Sequence, residues 1–216
     1  SNYLRERYPD YSDKIQTAYL GTRDFGTGKE NSGSTIHIVS CCHITPIKRV
    51  ELLAQSLAQL SSSGFNLKWT HFGGGEALNE LIKYSEQNLS FMEYDFVGEV
   101  KNSELMDFYI NNPVDLFINT SSSEGLPVSI MEACSFGIPT IATDVGGTSE
   151  IVKDGETGFL IDADFTPDKL AEKIKSVILL PTEEKKKLRE NCRSLYLSEF
   201  FANDNFANFA QKIKPF

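Results

Sequence analysis

Long apolar runs are missing from this chain. No stretch approaches the roughly 20 consecutive apolar residues that a membrane-spanning helix needs, and the first residues, SNYLRERYPDYSDK, do not read as a signal peptide. Basic excess is missing too: 21 Lys and Arg against 30 Asp and Glu leave a net charge of −9. That balance argues against nucleic acid as a partner, because such binding rests on cations that neutralise phosphates. It gives no support to attraction by anionic lipid either. Metal-ligand and disulfide spacings are also absent. Of the four cysteines, Cys41 and Cys42 are adjacent, Cys134 and Cys192 stand alone, and no C-x-x-C occurs. They read as small buried hydrophobes of a reducing compartment, which places the protein in the cytoplasm. Internal repeats and low-complexity tracts are lacking as well.

What remains is an ordinary globular composition. With 216 residues, 40% hydrophobic and 24% charged, the chain has length for one or two domains and a sizeable core. Residues 1–25 do not begin a domain: Leu4 to Tyr11 suggests a short helix and Lys14 to Tyr19 an extended piece, neither with a partner. Residues 26–34, GTGKENSGS, form a polar Gly/Ser linker. From Thr35 a strand-helix rhythm begins. Strand-like runs fall at Thr35–Cys41, Leu67–Phe72, Phe91–Val97, Val114–Asn119, Pro139–Thr143 and Gly158–Ile161. Between them helical spacing sets Val50, Leu53, Leu57 and Leu60 on one face, then Leu78, Leu81 and Ile82, then Leu105, Phe108 and Tyr109. Thr166-Pro167 reads as an N-cap and first helical position, followed by helices near 167–178, 183–196 and 200–213. Alternation of this kind predicts an α/β fold, a doubly wound parallel sheet of the Rossmann-like type, with ligands outside the carboxyl ends of the strands.

One stretch makes a chemical offer. The apolar strand at 114–119 runs into a Ser-rich turn, then Glu124-Gly125-Leu126-Pro127, then a helix from Val128 that stops at Gly137 with Pro139 beyond it. Pro127, which has no N–H, suits the first helical position. The helix start leaves the N–H groups of Val128 and Ser129 free and carries about half a positive charge, so it welcomes an anion such as phosphate. Glu124 precedes that end and Glu132 lies one turn inside it. Carboxylates repel phosphate, so their role is to accept from hydroxyls on either side of it. A sugar, a diphosphate and a ribose satisfy the layout. Three more loops should reach the same edge: His43 to Arg49 after the first strand, Gly73-Gly74-Gly75-Glu76 after the second, and Gly98-Glu99-Val100 after the third. Lys48 and Arg49 stand at a helix start, where cations oppose the dipole and so call for a reason. Asp162-Ala163-Asp164 imitates a metal-binding D-x-D but sits before a helix start, where acids are favoured anyway.

Glu124, seven intervening residues and Glu132, inside SSSEGLPVSIMEA and followed by GIPTIATDVGGTSEIV and DGETGFL, resemble the donor-binding signature of retaining GT-B glycosyltransferases of family 4. The resemblance covers residues 35 to about 165 closely. It implies the C-terminal domain of a two-domain enzyme that takes a hexosyl group from a UDP-sugar or GDP-sugar, without metal, to a glycan or lipid-linked acceptor. In that family an Arg and, five residues on, a Lys face the pyrophosphate. Lys48 holds the Lys position here, and either His43, in the place of the Arg, or Arg49 takes the second role. The resemblance further implies that Gly73 and Gly74 lie near the nucleotide, that the segment of Val97 and Gly98 contacts the base through its backbone, and that Gly125 and Leu126 hold the sugar. On this view residues 1–25 are a remnant of an acceptor domain, residues 35–196 bind the nucleotide sugar, and residues 197–216 pack back towards the missing part, through which the protein would lie at a membrane's inner face. A nucleotide-sugar epimerase of similar fold and a non-catalytic nucleotide-sugar-binding module are the rival readings.

Overall fold

The computed structural model describes residues 2–213; Ser1 and residues 214–216, the end of the expected C-terminal segment, lie outside it. Six strands, β1 (Thr35–Cys41), β2 (Asn66–Phe72), β3 (Glu93–Gly98), β4 (Leu116–Asn119), β5 (Thr140–Thr143) and β6 (Gly158–Ile161), form one sheet in the order β3-β2-β1-β4-β5-β6. All pairings are parallel. The doubly wound expectation is therefore met, and the direction of winding reverses between β1 and β4.

Neighbouring strand residues divide between two cores, as the period of two requires. Ile38, Leu116, Ile118 and Ile141 face a layer built from α2 (Val50–Ala58), α3 (Leu78–Asn88) and α7 (Pro167–Ile178). Val39, Phe117 and Ala142 face the other layer, with α4 (Asn102–Asn111), α5 (Val128–Ser135), α6 (Thr148–Ile151) and α8 (Thr182–Leu195). β4 is buried along its whole length, which explains its unbroken Leu-Phe-Ile run.

The termini differ from expectation in detail. Pro9 breaks the first helix, so α1 covers Asn2–Arg7 and a 3₁₀ turn follows at Pro9–Lys14. Residues 15–20 pair with no strand. Thr166 occupies the N-cap of α7 but its hydroxyl makes no capping bond; Pro167 alone carries the start signal. After α8 a π-turn at Tyr196–Phe200 leads into α9 (Ala202–Lys212). Here the N-terminal segment is fastened: Thr22 N donates to Phe200 O at 3.0 Å and Ala202 N to Thr22 O at 3.0 Å. Arg193 adds a two-pronged bond to Asp24, 2.7 Å to each oxygen, which holds that carboxyl below its usual range despite some burial. The polar segment 26–34 has no regular element yet is pinned: Gly28 N donates to Phe136 O at 2.9 Å and Asn31 Nδ2 to Asp115 Oδ2 at 2.6 Å. No helix among the described residues is long and apolar enough to cross a membrane.

Candidate functional site

The reversal of winding sets the loops after β1 and β4 side by side. Backbone and side-chain bonds stitch them together: Ser122 N donates to Ile47 O at 2.7 Å, and the Thr120 hydroxyl to Lys48 O at 2.9 Å. Lys48 thereby reaches Glu124, with Nζ 2.7 Å from Oε1. Glu124 is nearly buried, its side chain 9% exposed against 27% for Lys48. Oε1 also accepts from Ser121 Oγ at 2.6 Å and Asn119 Nδ2 at 3.0 Å. Burial pushes the Glu124 carboxyl up, but the bonds from Lys48, Ser121 and Asn119 outweigh it and hold the group below its ordinary value.

The backbone of Glu124 and Gly125 packs against the Gly146-Gly147 turn. Gly146 lies at φ 56°, and a Cβ there would stand 1.8 Å from Glu124 O. Gly147 N donates to Gly125 O at 2.7 Å. The turn needs glycine because only glycine lets backbone approach backbone this closely.

Arg49 does not join Lys48. Its backbone is left-handed at φ 50°, at the N-cap of α2, and its guanidinium is spent on three carbonyls: Thr120 O at 2.8 Å, Ala163 O at 2.6 Å and Ser121 O at 3.2 Å. It also lies over the Phe165 ring, 5.2 Å from the centroid. Arg49, one of the two candidates for the second cationic role, here ties the loops after β4 and β6. Arg49→Lys should lower unfolding free energy by about 1–3 kcal/mol, since one ammonium cannot span three carbonyls. Urea unfolding checks this, and a change below about 0.5 kcal/mol would show the clamp to be idle.

At the start of α5 the structure shifts one detail. Pro127 is the N-cap, not the first helical residue, and its carbonyl accepts from Ile130 N and Met131 N at 3.2 Å each. Val128 and Ser129 come next, and their N–H groups precede the first intrahelical donor, Ile130 N. Val128 is exposed and Glu132 is buried, only 9% exposed. Glu132 therefore is no solvated helix position. Its Oε1 accepts from Asn102 Nδ2 at 2.7 Å; burial pushes the carboxyl above its ordinary value and Asn102 offsets part of that.

Glu132 and Asn102 close one side of an open cleft of about 370 Å³ whose other walls include Cys41, Cys42, His43, Gly73, Gly74 and Glu99. Gly73 has φ 127°, with a Cβ position 1.9 Å from Cys42 O, and its N–H donates to Gly98 O at 2.8 Å. The glycines here allow the loops after β1, β2 and β3 to pack on one another. His43 Nδ1 is 3.5 Å from Glu99 Oε1, both exposed, and Val97 is exposed as well. Cys41 and Cys42 are half-buried, with burial pushing both thiols up to about 12, while Cys134 and Cys192 are buried. Asp162 and Asp164 are exposed. No group of three His, Cys, Asp or Glu gathers for a metal among the described residues.

Three polar residues of this site, Asn119, Ser121 and Asn102, escape the sequence reading. The first two had one signal, their place at the end of the buried strand and just before Glu124; Asn102 had none, since a neutral amide four residues after Gly98 carries no pattern. Asn102→Ala should weaken binding of a ligand held by Glu132 by about 0.5–1.5 kcal/mol, the ordinary worth of one hydrogen bond, as titration calorimetry would show. An effect as large as that of Glu132→Ala would mean that Asn102 itself contacts the ligand.

A parallel sheet, a reversal of winding with its cleft, and a helix start flanked by two held carboxylates define a Rossmann-like ligand-binding domain. The chain belongs to the family described as glycosyl transferases group 1, whose model matches residues 28–195. Among its relatives is the O-antigen biosynthesis glycosyltransferase WbnH of Escherichia coli, 32% identical over 172 residues, which cover 79% of this chain and 44% of WbnH. The lipopolysaccharide core biosynthesis mannosyltransferase LpsB of Rhizobium meliloti is 44% identical over 71 residues, 32% of this chain and 19% of LpsB. The chain thus spans less than half the length of these relatives. Its fold is similar to that of Anabaena HepE in complex with UDP and glucose, with a TM-score of 0.77 at 19% identity over 94% of this chain and 57% of that one. It is similar also to the pneumococcal O-GlcNAc transferase GtfA in complex with UDP and GlcNAc, with a TM-score of 0.75 at 16% identity over 97% and 42% of the two chains.

Proposed function

We propose that this chain is the donor-binding half of a retaining family 4 glycosyltransferase that moves a hexosyl group from a nucleoside diphosphate sugar to a glycan or lipid-linked acceptor. The observation that carries the reading is the meeting of Lys48 with Glu124 at the reversal of winding, next to a helix start that has a buried Glu132 one turn inside. The diphosphate would lie between Lys48 and the N–H groups of Val128 and Ser129. Glu124 would accept from sugar hydroxyls near Gly125 and Leu126, and Glu132 from the ribose hydroxyls. The base would reach the cleft of His43, Gly73 and Gly74, with the backbone of Val97 and Gly98 as a further contact.

In the reaction the bond from the anomeric carbon to the diphosphate breaks, and negative charge grows on the leaving oxygen. Lys48 and the start of α5 are fixed cationic partners for that charge, so electrostatic stabilisation is this domain's share and no metal is needed for it. The acceptor and its site belong to the remainder of the enzyme. Similarity to chains whose complexes hold UDP makes UDP-sugars the first donors to try.

Titration calorimetry in EDTA with UDP, GDP and ADP, each alone and as its glucose or mannose conjugate, tests the proposal. We expect one nucleotide to bind and its sugar conjugate to bind more tightly. A requirement for a divalent ion, or no preference for any nucleotide, would reject it.

A further inference from the structure

Among the described residues, every donor that reaches Glu124 lands on one oxygen. Oε1 accepts from Lys48 Nζ at 2.7 Å, Ser121 Oγ at 2.6 Å and Asn119 Nδ2 at 3.0 Å. A carboxylate oxygen has about two lone-pair directions, so three donors saturate it and leave Oε2 for something else. The supporting residues are themselves fixed. Asn119 Oδ1 accepts from Ser121 N at 2.9 Å, which turns the amide so that Nδ2 faces Glu124. Ser121 is 1% exposed and Asn119 7%, and the Ser121 carbonyl accepts from Arg49 Nη2 and the Thr143 hydroxyl.

We infer that Asn119 and Ser121 are positioning residues for donor-sugar recognition: they saturate Oε1 and present Oε2 as the one acceptor, in a fixed direction, to a sugar hydroxyl. The inference rests on the reading of Glu124 as the sugar contact. Two neutral donors are needed because Lys48 is shared. When a diphosphate draws its ammonium away, Ser121 and Asn119 still hold the carboxylate where it was. One acceptor with a fixed direction distinguishes a hydroxyl from its epimer, so the pair also sets which sugar stereochemistry is preferred.

The test compares the protein with its Ser121→Ala, Asn119→Ala and Glu124→Gln variants. Calorimetry with UDP, UDP-glucose, UDP-galactose, GDP and GDP-mannose measures affinity, and the carboxyl carbon-13 resonance of Glu124 follows its titration against the facing groups, Lys48 and Cys42. For Ser121→Ala and Asn119→Ala we expect nucleotide affinity within about twofold of the parent. The extra affinity given by the sugar should fall roughly ten- to a hundredfold, as one lost bond to a charged group implies. The preference between UDP-glucose and UDP-galactose should shrink, and the Glu124 titration should move up. If Ser121→Ala fails to fold, Asn119→Ala carries the comparison. Should Glu124→Gln leave every sugar nucleotide bound as before, the placement of Glu124 fails and this inference with it. Should Glu124→Gln abolish the sugar's contribution while the other two variants keep it and leave the Glu124 titration unmoved, the positioning role is overturned and the site reading stands.

Discussion

Replacing Lys48 with methionine should weaken binding of the preferred nucleoside diphosphate by about 2–4 kcal/mol, roughly 30- to 1,000-fold, because one partner of a largely desolvated charge pair is removed. Two effects add. The diphosphate loses its cation, and Glu124 keeps its charge because Ser121 and Asn119 still donate to it, so an anion is left facing an anion. The double variant Lys48→Met with Glu124→Gln removes both charges and should recover part of the loss, a coupling that calorimetry on all four members of the cycle measures. Glu124→Gln alone should bind free diphosphate at least as well as the parent, since Lys48 is no longer shared, while the sugar conjugate loses its advantage. Parent-like affinity in Lys48→Met, or no recovery in the double variant, would remove Lys48 from the diphosphate site. The pair also has a pH signature. The Glu124 carboxyl is held below its ordinary value in the folded protein. Its contribution to stability is therefore present above the ordinary carboxylate range and lost as pH falls through the folded value. Lys48→Met removes one of the three donors, so acid unfolding should begin at higher pH.

The sheet was legible because its strands obey simple rules. β1 and β6 begin and end where the apolar runs do, and α7 opens at Pro167 as the Thr-Pro pair announces. α6 is four residues, Thr-Ser-Glu-Ile, too short to show a period. In the candidate site, Lys48 drew notice because a cation at a helix start opposes the dipole, and Glu124 and Glu132 because their spacing brackets an anion-binding helix end. The use of Arg49 was not, since its three carbonyl partners come from two distant loops. Sequence spacing says that an Arg follows a Lys; it does not say that the Arg backbone turns left-handed and sends its side chain elsewhere. The glycines behave similarly: Gly73 was visible as a loop residue and Gly146 as part of the GG in the family signature, but the backbone each accommodates, Cys42 and Glu124, is set by tertiary contact. Short-range physics was readable, and partners across the sheet edge were not.

Glu132 should show function and stability pulling in opposite directions. Glu132→Ala should weaken nucleotide binding by about 1–3 kcal/mol, the loss of a charge-assisted hydrogen bond to a hydroxyl. Glu132→Gln keeps the shape and still accepts from Asn102, but removes a charge that burial disfavours. It should stabilise the ligand-free protein near neutral pH by about 0.5–2 kcal/mol, with a rise of about 2–4 °C in Tm per kcal/mol for a chain of this size. The sign follows from linkage. With its folded value raised, the Glu132 carboxyl favours the fold below its ordinary value, and that advantage is lost as pH rises through the folded value. The gap between Glu132→Gln and the parent should therefore open as pH rises from about 4 towards 8. Urea unfolding of both proteins across that range, with nucleotide titration of each, decides the matter. A glutamine variant no more stable than the parent at neutral pH, with undiminished nucleotide affinity, would make Glu132 a satisfied structural carboxylate. A variant that is more stable and binds nucleotide less well would mean that a buried charge is kept here, against the fold's own preference, for the hydroxyls it accepts.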